Sequence, residues 1–177
     1  YDKLNQFRHA IFFKDANGIR EHMKKHAEIL RPRFETVLTA FEKELGGREI
    51  AEWSKPLGGY FISLDLKAAS AKRVYKLCLD AGMKLTEAGA TFPYGKDPKD
   101  ANLRIAPSYP TLHELRLASQ VLCLCVKLAT MEKLLSDMLL CAPAMKALLR
   151  LCVDFDRAYA AEKRREGLAD FSDLEHM

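Results

Sequence analysis

Gly58-Gly59-Tyr60-Phe61-Ile62-Ser63-Leu64-Asp65 opens with two glycines and then alternates. Tyr60, Ile62 and Leu64 fall on one side of an extended chain, and Phe61, Ser63 and Asp65 on the other. That period of two is what a strand imposes. Asn102-Leu103-Arg104-Ile105-Ala106 reads as a second such strand, stopped by Pro107-Ser108-Tyr109-Pro110. Thr111 and Glu114 then form a capping-box pair, so a helix is expected to begin at Leu112. Between the two strands, residues 69–81 carry Val74, Leu77 and Cys78 at helical spacing, with Gly82 placed as the left-handed residue that closes the helix. Met83-Lys84-Leu85-Thr86 reads as a further short strand, and residues 87–100 as a loop rich in Gly, Pro and Asp.

Outward from this block, residues 17–46 read as one long amphipathic helix. Ile19, Met23, Ala27, Leu30, Phe34, Leu38, Phe41 and Leu45 recur at helical spacing, Asn17 is the expected N-cap and Gly46-Gly47 the stop. Pro32 predicts a kink or break near Leu30. The helix after Thr111 is apolar from Leu117 through Leu128 and is expected to be buried. The order helix, strand, helix, strand, strand, helix predicts an α+β layer, a small mixed sheet with packed helices. The character changes near Ser136. Beyond it there is no strand signal, and helices are expected at 137–165 and 170–177, broken at Gly167, with Pro143 able to start a helix and Asp170 to cap the last one. Two segments are therefore expected, 1–135 and an all-helical 136–177.

The chain has 177 residues, is 49% hydrophobic and 29% charged, and carries a net charge of +4. These values fit a soluble globular protein. Lys and Arg are interleaved with Asp and Glu, so charge alone does not point to nucleic acid. No apolar run approaches the roughly 18 residues of a membrane span, and no signal peptide is read at the polar start Tyr1-Asp2-Lys3-Leu4-Asn5. Both ends read as cuts made inside larger proteins. The five cysteines, Cys78, Cys123, Cys125, Cys141 and Cys152, have no framework spacing and read as buried reduced thiols of a cytoplasmic protein. His22 and His26 are four apart on a helix and could hold a metal, but lack a nearby acidic third ligand; a solvated helix face is the other reading.

Arg104 is the candidate for chemistry. An arginine at an inward strand position requires an anion or a cavity for its guanidinium. The planar fork suits a carboxylate held by two parallel hydrogen bonds. A surface ion pair is the alternative.

The ordered set Gly58-Gly59-Tyr60-Phe61-Ile62-Ser63-Leu64-Asp65, Ala81-Gly82-Met83-Lys84-Leu85-Thr86, Gly89-Ala90-Thr91-Phe92-Pro93-Tyr94-Gly95 and Asn102-Leu103-Arg104-Ile105-Ala106-Pro107-Ser108 resembles the C-terminal small domain of class I/II, fold-type I aminotransferases. The match is nearest the aspartate-aminotransferase-like group, with Gly95-Lys96-Asp97-Pro98-Lys99-Asp100 before the arginine strand, and covers about residues 1–135. The resemblance implies that Arg104 binds the α-carboxylate of an amino-acid or 2-oxo-acid substrate. It implies transamination with pyridoxal 5′-phosphate as electron sink, in a homodimer when the enzyme is complete. The family loop usually reads Pro-Gly-x-x-Phe-Gly; here Pro93-Tyr94 is inserted between Phe92 and Gly95, so Phe92 and Tyr94 are either active-site loop residues or loop packing. The cofactor-bearing lysine and the phosphate site belong to the large domain. No residue of this chain is therefore expected to be catalytic, cofactor-binding or metal-ligating, the fragment is expected to be inactive alone, and no tight cofactor binding is expected of it.

The tail carries Phe155-Asp156-Arg157-Ala158-Tyr159, Lys163 and Asp170-Phe171-Ser172-Asp173-Leu174, a pattern that resembles a helical segment of UvrD/RecB-type helicases, nearest the AddA-like helicase–nuclease subunits. It has no nucleotide-binding loop. Lys163-Arg164-Arg165 could touch phosphates or simply be a solvated helix end. Three readings stand: an aminotransferase fragment, a nucleic-acid-associated helicase or nuclease fragment, and a non-catalytic interaction fragment.

Overall fold

The structure, a computed structural model, describes residues 2–168. The expected helix at 170–177, with Asp170, Phe171, Asp173 and Leu174, lies outside the described residues. Eight elements follow in order. They are helices α1 (Lys3–Phe13) and α2 (Ala16–Leu45), strands β1 (Ala51–Trp53) and β2 (Ile62–Leu66), helix α3 (Ala71–Asp80), a 3₁₀ turn at Pro93–Gly95, strand β3 (Asn102–Ile105) and helix α4 (Leu112–Glu166). Contacts divide the chain into two units, Tyr1–Lys133 and Leu134–Met177.

The α+β architecture expected from the alternation is present. The sheet runs β1-β2-β3 and both pairings are antiparallel, so it is not mixed. Residues 83–86 form no strand. Their alternation arises because Met83 and Leu85 pack on the core while Lys84 is exposed, which gives strand period without ladder hydrogen bonds. The third strand is instead β1, only three residues long and too short to announce itself in sequence. It pairs Ala51 with Leu66 and Trp53 with Leu64.

The helix starts and stops have identifiable causes. Asp15, not Asn17, caps α2: its carboxylate accepts from the N–H groups of Asn17 at 2.8 Å and Gly18 at 2.9 Å. The Asn17 side chain accepts from Arg20 instead. A Cβ on Gly18 would lie 1.9 Å from the Phe13 carbonyl oxygen, so only glycine permits this approach of α1 to α2. The helix runs through Pro32 without a break. The good helix formers on both sides, and an apolar stripe held on the core, outweigh one lost backbone bond. Ser70 caps α3, and Gly82 closes it as expected. The Met83 N–H reaches the Cys78 carbonyl at 2.8 Å and the Gly82 N–H the Leu79 carbonyl at 2.9 Å, with Gly82 at φ +80°. The expected capping box opens α4: the Thr111 N–H donates to Glu114 at 2.7 Å, and the Glu114 N–H to the Thr111 hydroxyl at 3.3 Å.

One apolar cluster joins the elements of the first unit. Val37, Phe41 and Leu45 of α2, Ile62, Leu64 and Leu66 of β2, and Leu103 and Ile105 of β3 meet Val74 and Cys78 of α3 and Leu122, Val126 and Ala129 of α4. Phe41 is fully enclosed and meets Trp53 edge-on at 5.6 Å. Of the stretch Leu117–Leu128, Leu122, Cys123, Cys125 and Val126 are buried, whereas Leu117, Leu124 and Leu128 are about half exposed. In the second unit no helix starts afresh at Ser136: α4 passes through Pro143, and Leu134, Met138, Leu139 and Leu148 are exposed. The helix-forming Leu and Ala around Pro143 carry the helix past it. Among the described residues no helix is long and apolar enough to cross a membrane.

Phe41→Ala is expected to destabilise the fold by about 3–5 kcal/mol, the range for truncating a buried aromatic. Urea unfolding followed by circular dichroism measures this, and a loss below about 1 kcal/mol would contradict the placement of Phe41 at the centre of the core.

Candidate functional site

β2 and β3 turn alternate side chains to opposite faces. Ile62, Leu64, Leu103 and Ile105 go to the core, so the outer face carries Ser63 and Asp65 from β2, Phe61 just before it, and Asn102 and Arg104 from β3. The register places Ser63 directly opposite Arg104 and Asp65 opposite Asn102. Phe61 and Asp65 are thus the two diagonal neighbours of Arg104, within reach of long side chains. Arg104 is not turned into the hydrophobic core, as its apolar sequence neighbours led one to expect; those neighbours face the core themselves.

Phe61, not Asp65, meets the arginine. The Arg104 Cζ lies 4.6 Å from the centre of the Phe61 ring. The Arg104 Nε is buried and has no hydrogen-bond partner. Among the described residues the guanidinium makes no ion pair, so the surface ion-pair reading does not describe it. An unpaired buried donor costs about 1–3 kcal/mol, and a cation over a ring returns about 0.5–2 kcal/mol. The balance leaves one buried donor, the Arg104 Nε–H, without a partner.

Asp65 is oriented by other partners, one on each carboxylate oxygen. Asn102, which is buried, donates from Nδ2 to Asp65 Oδ1 at 2.8 Å and to Ser63 Oγ at 2.8 Å. The Ser63 hydroxyl donates to Asp65 Oδ2 at 3.3 Å. The Asn102 carbonyl oxygen accepts from Thr91 at 2.7 Å, and its backbone N–H donates to Asp97 at 2.8 Å. A single side chain therefore ties the glycine loop, β2 and β3 together, with every hydrogen-bonding group satisfied.

The loop residues are anchored from both sides. Asp97 also accepts from the N–H groups of Lys99 at 2.9 Å and Ala101 at 2.7 Å. Desolvation pushes its carboxyl pKa upward, but the backbone donors Asn102, Ala101, Lys99 and Asp100 outweigh it and hold the group below the ordinary carboxylate value. Phe92 is half-buried and lines an open cleft of about 330 Å³ with Asp65, Asp97 and Asn102. Tyr94 is 96% exposed at φ +58°, inside the 3₁₀ turn made by the inserted Pro93-Tyr94. The ring beneath the Arg104 guanidinium is that of Phe61. Sequence reading missed Phe61 and Asn102. The usable signal was strand register: both lie on the alternation that also carries Arg104.

Lys67, just past the end of β2, is ion-paired to Glu52. His22 and His26 lie with ring centres 4.6 Å apart and planes tilted by 53°, and His22 also meets Phe12 and Phe13 edge-on. Cys78, Cys123 and Cys125 are buried as expected, and burial pushes the Cys123 thiol up to about 12 and Cys78 well above its ordinary value. Cys141 and Cys152 are exposed, contrary to expectation, because that part of α4 packs on little within its own unit.

The family model described as aspartate amino-transferase matches residues 1–138. A candidate aminotransferase from Mycolicibacterium smegmatis is 49% identical over 136 residues, 77% of this chain and 32% of that protein. An aspartate aminotransferase from Corynebacterium glutamicum is 45% identical over 131 residues, 74% of this chain and 30% of that protein. The crystal structure of an aspartate transaminase from the same organism superposes with a TM-score of 0.70 at 45% identity, over 74% of this chain and 31% of that one. The chain thus spans about a third of the length of the relatives it matches. An α-aminoadipate aminotransferase from Thermus thermophilus, complexed with N-(5′-phosphopyridoxyl)-L-leucine, shares the fold at 19% identity and a TM-score of 0.53, over 62% of this chain and 28% of that one. One component of an ATP-dependent helicase/nuclease from Desulforudis audaxviator is 49% identical over 45 residues, 25% of this chain and 4% of that protein.

The depressed Asp97 carboxyl fixes the sign of an acid effect. A carboxyl whose folded pKa lies below its unfolded value adds stability above the unfolded pKa of about 4, and that stability is lost as pH falls through the folded pKa. Asp97→Asn should therefore narrow the difference between the urea midpoints at pH 7 and pH 3. An unchanged difference would remove Asp97 from the acid response.

Proposed function

This chain belongs to the aspartate aminotransferase family, and from that premise we propose that Arg104 is the substrate-carboxylate clamp of a pyridoxal-phosphate-dependent transaminase. The single observation that carries this reading is the unpaired guanidinium of Arg104 on the outer sheet face, with its Nε buried and the carboxylate diagonal to it across the strands, Asp65, held by Asn102 and Ser63. The fork supplies two parallel N–H donors to one carboxylate, which fixes both the position and the rotation of an amino-acid or 2-oxo-acid substrate.

The residues present fit the carboxylate end of such a site and not its cofactor end. The Arg104 guanidinium has the planar geometry and an unpaired donor for an α-carboxylate, whereas Lys67 is ion-paired to Glu52. Pyridoxal phosphate, where bound, supplies an electron sink to the substrate α-carbon. The residues described here orient the substrate and neutralise its carboxylate. Phe92 and Tyr94 belong to the loop at the edge of this face, Phe92 in the cleft beside Asn102 and Tyr94 outward, where it reaches substrate or a neighbouring protomer in a homodimeric enzyme. Residues 1–135 form the small domain on this reading, and the chain as an isolated polypeptide does not transaminate. A match over 4% of a helicase–nuclease component does not carry a nucleic-acid function, and none is proposed for residues 136–177.

A complete enzyme tests the clamp. When residues 1–135 replace the matching segment of the full-length aspartate aminotransferase relative, the hybrid should show the cofactor absorbance band and turn over an amino donor. Arg104→Ala in that hybrid should lower kcat/KM by about a hundredfold, the loss expected for two charge-assisted hydrogen bonds. Arg104→Lys should recover only part of it, since an ammonium cannot reproduce the fork. An unchanged kcat/KM in Arg104→Ala would remove the assignment.

A further inference from the structure

The bare geometry of β3 does not aim Arg104. A long, flexible side chain on an outer sheet face has many rotamers, and ordering it on substrate arrival lowers affinity. Two diagonal neighbours compete for it: the Asp65 carboxylate on one side and the Phe61 ring on the other. Asp65 would hold the guanidinium in an internal ion pair and close the fork to a substrate. Both Asp65 oxygens accept hydrogen bonds elsewhere, from Asn102 and Ser63, and the arginine lies over Phe61 instead. A ring face attracts the cation and takes none of its N–H groups, because it has no lone pairs in the guanidinium plane.

We propose that Phe61 is the positioning residue of the carboxylate clamp, a platform that fixes the Arg104 guanidinium over its ring and leaves the terminal N–H groups open to a carboxylate. The inference rests on the clamp reading above and deepens it. Phe61 is 47% exposed, so it does little for the core, and its place at the entry to β2, after Gly58-Gly59, is accounted for by what it does to Arg104. Phe61 acts through Arg104 and does not itself touch the reacting atoms.

The test uses the 177-residue chain labelled with ¹⁵N, and 2-oxoglutarate as the carboxylate probe. The Arg104 Nε–Hε signal is assigned by its loss in Arg104→Lys. In the wild-type chain it should be shifted upfield by the ring beneath it and should move on titration with 2-oxoglutarate. Phe61→Leu should abolish the upfield shift and weaken 2-oxoglutarate binding about fivefold, in line with a partly exposed cation–ring contact. Phe61→Tyr keeps the ring face and should restore both. Circular dichroism of Phe61→Leu should match wild type, since the side chain is half outside the core. If Arg104→Ala abolishes binding while Phe61→Leu keeps the wild-type shift and affinity, the Phe61 inference fails and the clamp stands. If Arg104→Ala binds 2-oxoglutarate like the wild-type chain, the clamp reading itself fails, and the Phe61 role with it.

Discussion

The pairing of Ser63 with Arg104 across β2 and β3 is the constraint on which the rest depends. Strand side chains alternate with a period of two, so a slip of one residue would carry Arg104 into the apolar cluster and bring Leu103 and Ile105 into water. The register is held from both faces. On the inside, Ile62, Leu64, Leu103 and Ile105 are buried, each stabilising the pairing by about 1.5–3 kcal/mol. On the outside, Asn102 binds β2 through Ser63 and Asp65. The core therefore decides where the charged side chain points, without itself containing a charge.

The outer face also shows how a protein keeps a cation available. A guanidinium beside a carboxylate at strand spacing ordinarily pairs with it, and a paired arginine would have to break that bond for each new anion. Here the competing carboxylate is held by an amide and a hydroxyl, and the cation rests on a hydrocarbon ring. The arrangement exchanges some stability, visible as the unpaired Nε, for readiness.

Much of this was legible in the sequence. The β2 and β3 alternation, the Gly82 helix stop and the Thr111–Glu114 capping box rest on local rules with one strong outcome, and the structure follows them. The errors share a cause. Residues 83–86 alternate because they lie along one side of the core, and one-sided packing has the same period as a ladder. β1 escaped notice because three residues carry too little pattern to separate from a loop. Pro32 and Pro143 were given more weight than tertiary packing and flanking propensity allow a single lost hydrogen bond. The partnership of Phe61 with Arg104 was hidden for a different reason. It spans 43 positions, and only the register of two strands, which no local window contains, brings them together.

The loop that precedes β3 is fastened on either side of its Pro93-Tyr94 tip. At its base the Gly95 carbonyl packs so closely on Gly89 that a Cβ there would lie 2.3 Å away, and past it Asp97 grips the backbone leading into β3. Between those fastenings the Thr91 hydroxyl is tied to the Asn102 side chain at 2.7 Å, whereas the Pro93-Tyr94 tip has no hydrogen bond to the strand. Pro93-Tyr94 can therefore be lengthened, shortened or recomposed without shifting the arginine, so selectivity can diverge at the rim while the charge at the centre keeps its position.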